Sequence, residues 1–173
     1  MYQIITDTGC DFPVEMYQQL GLEKAHLTVL YKGQEHTNYT EQWLKELFAG
    51  LRAGETATTA AVNPEGWASV IAPVLEAGQD ALVLAFSSGL STTYQSAVIA
   101  AGELMEQYPG RTVRVVDTLA ASLGQGLLVY YACKKRDEGM SLEEVTAWVE
   151  AHKKNICHWV PVDDLSHLKR GGR

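Results

Sequence analysis

The stretch Asp80–Phe86, "DALVLAF", constrains this chain more than any other. Its apolar residues run from Ala81 to Phe86 without polar alternation. A strand with one wet face alternates, whereas an unbroken run fits a central strand covered on both faces. Segments of helical period flank it on each side. Before it, Asn63-Pro64 gives an N-cap followed by proline at the first helical position. Trp67, Ile71 and Val74 then supply a face, with Pro73 removing one internal hydrogen bond. After it, Tyr94, Val98, Ala101, Met105 and Tyr108 recur every three or four residues.

The same alternation extends along the chain. "YQIITDT" reads as a strand that ends in a polar turn, and "AHLTVLYKGQEH" as a second strand with Lys32-Gly33 as a turn. "TEQWLKELFAGLRAG" is helical, with Leu44, Leu47, Phe48 and Leu51 on one face and Gly54 as its stop. "TATTAAVN" reads as a polar loop, "RTVRVVDT" as a strand, and "SLGQGLLVYYACKKRDEG" as a helix despite two glycines. Ser141–Glu144, "SLEE", is a capping box, and "HWVPV" reads as a last strand. Strands alternating with helices of this length predict an α/β fold, a mostly parallel sheet with helices on both faces. Ligands of such sheets sit at the carboxyl ends of the strands. That rule collects four polar loops: Asp7–Asp11, Thr56–Asn63, Ser87–Thr93 and Asp117–Ser122.

Charge narrows the partners. The net charge is −7 and the pI about 5.2, which disfavours nucleic-acid binding through a basic face. Residues 1–133 carry a net of −8 and residues 134–173 a net of +1, so the tail is locally basic. Cys10, Cys133 and Cys157 are odd in number and lack CxxC spacing, so reduced thiols in a cytoplasmic protein are expected, with no structural metal. The first residues read directly as a strand, so no secretory leader is expected. No apolar run approaches the roughly 20 residues of a membrane span.

The loops admit more than one chemistry. A helix beginning near Thr92 leaves backbone N–H groups without intrahelical partners and favours negative charge. Ser91 stands where an N-cap would, so its hydroxyl can cap the helix or donate to an anion. "SSGLS" lacks the G-x-S-x-G elbow of α/β-hydrolases. Asp7 and Asp11 could hold a divalent cation or act as acid and base, or simply order the loop backbone. "SLGQG" matches no dinucleotide or Walker pattern. Gly124 and Gly126 fit a helix that lets another backbone come close.

Five motifs taken in order, "TDTGCD", "TTAAVNPEGW", "SSGLSTTYQSA", "VVDTLAASLGQGLLV" and "VDDLSHLKRGGR", resemble the DegV family of bacterial fatty-acid-binding proteins. The resemblance implies a carrier rather than an enzyme. It holds one long-chain fatty acid, uses no cofactor, and presents the carboxylate to a partner fatty acid kinase. It places carboxylate binding on Thr59 and Ser91, with Thr92 and Thr93 beside them. Loop support falls to Asp7, Ser87, Ser88, Asp117, Ser122 and Gly124. Phosphoryl or partner contact falls to Lys169, Arg170 and Arg173. It also implies that residues 1–162 form the α/β fatty-acid-binding domain and that 163–173 begin a second domain. An uncovered tunnel wall would forfeit about 25 cal/mol per Å², so weaker binding and self-association through that face are expected of residues 1–173 alone. This chain departs from the family pattern at Cys10, where serine is usual, at Thr92, where glycine is usual, and at Ala60-Ala61-Val62. A hydrolase or phosphatase using Ser91 or the Asp7/Asp11 pair is the alternative.

Overall fold

The computed structural model describes residues 2–37 and 39–161. In chain order the strands are β1 (Tyr2–Asp7), β2 (Glu23–Ala25), β3 (Thr28–Tyr31), β4 (Gln34–His36), β5 (Ala57–Ala60), β6 (Asp80–Ala85) and β7 (Val113–Asp117). The helices are α1 (Val14–Gln19), α2 (Glu41–Arg52), α3 (Pro64–Glu76), α4 (Thr93–Gln107), α5 (Ser122–Asp137) and α6 (Leu142–His152). Within the span expected as one domain, the described chain separates into two compact units, one holding residues 2–27 and 61–156, the other built on Thr28–Ala60.

In the first unit, all strands run parallel in the order β2-β1-β6-β7. The apolar run of β6 is central, as its composition requires, and Ala81–Ala85 is buried throughout. Its side chains divide by parity. Ala81, Val83 and Ala85 join Ile5, Trp67, Ile71, Ala97 and Leu104 under α3 and α4. Leu82 and Leu84 join Ile4, Val116, Leu128, Val129, Val145 and Val149 under α5 and α6. A sheet covered on both faces is therefore present. Asn63 caps α3 through Gly66 N–H at 2.7 Å, and Ser141 and Glu144 close a complete capping box on α6. Gly126 answers the question raised by its motif. A Cβ there would stand 2.6 Å from Phe12 Cε1 and 3.0 Å from the Cys10 carbonyl oxygen, so α5 approaches the first loop at a distance only glycine permits.

The second unit is an antiparallel sheet, β4-β3-β5, with helix α2. Lys32 and Gly33 turn β3 into β4 with φ of 52° and 75°, the paired positive values of a tight two-residue hairpin. Two expectations change here. The segment read as one strand with a turn is three strands, because Glu23–Ala25 joins the parallel sheet before the hairpin begins. "TATTAAVN" is no loop over Ala57–Ala60. It is edge strand β5, with Thr59 opposite Val29 and Ala57 opposite Tyr31. Thr58, Thr59 and Ala60 are exposed, so burial did not demand an apolar alternation that would have marked the strand. Phe48, assigned to the α2 face, is half exposed, and Leu47 is the residue of that helix that is buried. The expected strand at "HWVPV" is irregular over its described residues, His158–Pro161. Trp159 is 93% exposed and Pro161 offers no N–H, so neither burial nor a ladder hydrogen bond orders it as a strand. The remainder of that motif, and the expected second-domain start at 163–173, lie outside the described residues.

Candidate functional site

At the carboxyl edge of the parallel sheet, Asp7 is the pin. It ends β1 fully buried, and its carboxylate accepts from Gly9 N–H at 2.9 Å, Phe86 N–H at 2.7 Å and the Gln125 amide at 3.2 Å. Burial pushes its carboxyl up to about 6, against the pull of those donors. One side chain thus ties the first loop, the end of β6 and helix α5 together. Asp11 is exposed at φ 53° and closes a short turn through its N–H on the Thr8 carbonyl. Between the two readings of this pair, Asp7 serves as a structural acceptor with its oxygens directed at protein donors.

Phe86 N–H leads directly into the hydroxyl-rich loop. Ser87 Oγ accepts from Gly89 N–H at 3.3 Å, and the Ser87 carbonyl accepts from both Leu90 and Ser91 N–H. Helix α4 begins at Thr93, and the side chain of Thr92 makes no capping bond. Ser91 takes that part instead: its Oγ accepts from Thr93 N–H at 3.2 Å. Ser91 is half-buried and Thr92 exposed, whereas Thr93 is fully buried. The Thr93 hydroxyl accepts from Val62 N–H at 3.3 Å and lies 2.8 Å from Ser91 Oγ. Of the residues expected around a head group, Thr93 is the one drawn inside the protein.

The loop after β7 is stitched to this one. Ser87 N–H donates to the Ala120 carbonyl at 3.0 Å, and Ser88 N–H to Asp117 Oδ1 at 3.1 Å. Asp117 Oδ1 also accepts from Leu119 N–H at 3.1 Å. Asp7, Ser87, Ser88 and Asp117 thus take part in side-chain and backbone bonds that join these loops. Leu119 and Ser122 hold φ of 53° and 52°. That left-handed backbone costs a non-glycine residue on the order of 1 kcal/mol each. Ser122 opens α5 without a side-chain cap, and Gly124 N–H closes the first turn on the Ala121 carbonyl at 3.1 Å.

Sequence reasoning missed four contributors. Thr118 is fully buried and donates to the Ala85 carbonyl at 2.7 Å. Gln125 is fully buried in a helix read only for its glycines. Trp67, taken for packing alone, also donates its indole N–H to the Thr93 carbonyl at 3.0 Å. Lys153 donates to the Asp117 carbonyl at 2.9 Å while pairing with Glu150, so a cation does reach this edge with its charge matched. The partners that place these side chains at the site, Ala85, Asp7, Thr93 and Asp117, each lie more than 25 residues away, so no local pattern marks them.

Thr59 stands exposed on β5 in the other unit. Lys169, Arg170 and Arg173 lie outside the described residues. Cys10 and Cys133 are buried, with burial pushing each thiol up to about 11, so neither is a ready nucleophile. Cys10 points its Sγ at the Asp7 carbonyl and at Tyr17 Oη, 3.1 Å away. Among the described residues, no three His, Cys, Asp or Glu side chains gather as a metal site, and no helix is long and apolar enough to cross a membrane. An open groove of about 650 Å³ lies at the opposite edge of the sheet, lined by residues that include Tyr2, Gln79 and Met140.

Fold and loops define a class, an α/β unit whose strand-end loops offer hydroxyl and amide donors from a helix start. A family profile described as "Uncharacterised protein, DegV family" matches residues 1–173. The chain belongs to the DegV family. It is 40% identical to a DegV domain-containing protein of Clostridium perfringens over 99% of this chain and 60% of that protein. A solved DegV family protein of Thermus thermophilus, described as fatty-acid binding, aligns with a TM-score of 0.86 and 39% identity over 99% of this chain and 60% of its own. A DegV lipid-binding protein of Thermotoga maritima aligns with a TM-score of 0.83 and 27% identity, over 100% and 62%. The chain thus spans about 60% of the length of the relatives it matches.

Proposed function

We propose that this chain is the fatty-acid-binding part of a carrier that holds one long-chain fatty acid. Its carboxylate is met by Ser91, with Thr92 beside it, and is presented to a partner fatty acid kinase. The observation that carries this reading is the state of Ser91. Its oxygen caps the start of α4 while its side chain stays half-buried at the loop surface, beside helix N–H groups that favour an anion. The fatty-acid binding described for the Thermus thermophilus relative supports the same choice of ligand. An apolar surface also begins at these loops. Leu119 is exposed in the loop before α5, and Leu123, Leu127 and Tyr131 are exposed at four-residue spacing along the helix, with Leu123 at 65%. A stripe of that kind suits an acyl tail, or a surface that covers one, or self-association in its absence.

A carboxylate bond of this type is worth about 1.5–3 kcal/mol, so Ser91→Ala is expected to weaken fatty acid affinity by roughly ten- to a hundredfold. The same change takes the acceptor away from the Thr93 amide and hydroxyl, so stability should fall by about 1–3 kcal/mol as well, and the titration is read where both forms are folded. Fluorescence titration of both forms with one labelled long-chain fatty acid measures this. Equal affinities would remove Ser91 from the site.

A further inference from the structure

The hydroxyls of Ser91 and Thr93 form a chain whose direction follows from counting protons. Val62 N–H donates to Thr93 Oγ1, and Thr93 N–H donates to Ser91 Oγ. The two hydroxyl oxygens are 2.8 Å apart, so one donates to the other. If Ser91 were the donor, Thr93 Oγ1 would accept twice and its own proton would point into a fully buried surround. An orphaned buried donor is costly, and a hydroxyl has only one proton to place. If Thr93 is the donor, its oxygen takes the Val62 proton and gives its own to Ser91. Ser91 Oγ then accepts from both the amide and the hydroxyl of Thr93. Both its lone pairs are occupied, and its own proton is left for a further acceptor, on a residue that is half-buried rather than enclosed. Only this direction satisfies every buried group.

We infer that Thr93 is a positioning residue that fixes Ser91 as an outward donor, so that the loop takes a head group that can only accept, an ionised carboxylate. The inference rests on the reading of Ser91 as a ligand residue. Thr93 is well placed for the task. Its carbonyl is held by the Trp67 indole of α3 and its hydroxyl by the Val62 backbone just before that helix, so both contacts anchor the residue from one segment.

Two measurements test it. In the unliganded protein, proton NMR should show the Thr93 hydroxyl proton protected from exchange and close to Ser91, with the Ser91 proton exchanging freely. A protected Ser91 proton would overturn the inference even if fatty acid still binds. The second is a double-mutant cycle read by titration with a labelled long-chain fatty acid. Thr93→Val should weaken binding about tenfold in the parent and have no further effect in a Ser91→Ala background, while Thr93→Ser should keep parent affinity. The same factor in both backgrounds would mean that Thr93 acts only by holding the loop, and would overturn the positioning role. Binding that ignores Ser91 altogether, with the Thr93 proton protected, would sink the ligand reading and the positioning role with it, and leave the hydrogen-bond direction standing. If Thr93→Val does not fold, the Thr93→Ser variant and the NMR measurement decide.

Discussion

Asp7→Ala is expected to destabilise the protein by at least about 3 kcal/mol near pH 5, because the N–H groups of Phe86 and Gly9 and the Gln125 amide lose their shared acceptor, at about 1 kcal/mol or more for each. The ligand loop should suffer with it, since Phe86 is the residue from which Ser87–Ser91 departs. Asp7 also makes stability depend on pH in a definite direction. Burial pushes its carboxyl from 3.8 up to about 6, so the folded protein holds the proton more tightly than the unfolded chain. The stabilisation from this group is complete below about pH 4 and is lost as pH rises through about 6. A rise of that size corresponds to roughly 3 kcal/mol. Asp7→Asn titrates nowhere in this range. The stability difference between parent and Asp7→Asn should therefore narrow between pH 4 and pH 7, as measured by urea unfolding at each pH. A difference that widens with pH would show that the buried carboxylate prefers its charged form.

The second large effect belongs to Trp67. It is fully buried between β6, α3 and α4, and its indole holds the Thr93 carbonyl. Trp67→Ala removes the largest buried side chain in this layer and should cost about 3–5 kcal/mol. Trp67→Phe keeps most of the packing and removes one hydrogen bond from a carbonyl that stays in the helical ladder, for about 0.5–1.5 kcal/mol. Because Thr93 backs Ser91, Trp67→Phe should also weaken fatty acid binding while the fold persists. Chemical unfolding and ligand titration on the same variant separate the two. A Trp67→Phe protein with parent stability would show that the indole bond contributes nothing.

The main architecture was legible because burial writes itself into sequence. An unbroken apolar run marks a strand covered on both faces, and β6 is that strand, its side chains dividing between the two layers by parity. Gly126 was legible as a point of close approach for a similar reason, since only the absence of a side chain fits there. Strand β5 was hidden because its outward threonines carry no apolar period, and its pairing with β3 is a backbone matter to which side chains contribute little. The split at residue 27 was hidden because a short strand of the parallel sheet runs almost directly into the hairpin. At the site, residue types pointed to Ser91 and its neighbours, but not to their division of labour. Whether a threonine faces solvent or a distant amide is decided by contacts such as Val62 with Thr93, set by the packing of α3 on α4 rather than by local pattern. Asp7 is legible as a loop residue, yet its three donors come from Gly9, Phe86 and Gln125, two of which only the folded sheet brings near.

The central claim is that this chain holds a fatty acid by its carboxylate at Ser91. Native mass spectrometry of the purified protein, with a long-chain fatty acid added in excess, tests it most directly. The parent should carry one acyl adduct per chain, and the Ser91→Ala variant should carry markedly less at the same ligand concentration. A parent that stays at its bare mass, or an adduct that persists unchanged in Ser91→Ala, would contradict the account.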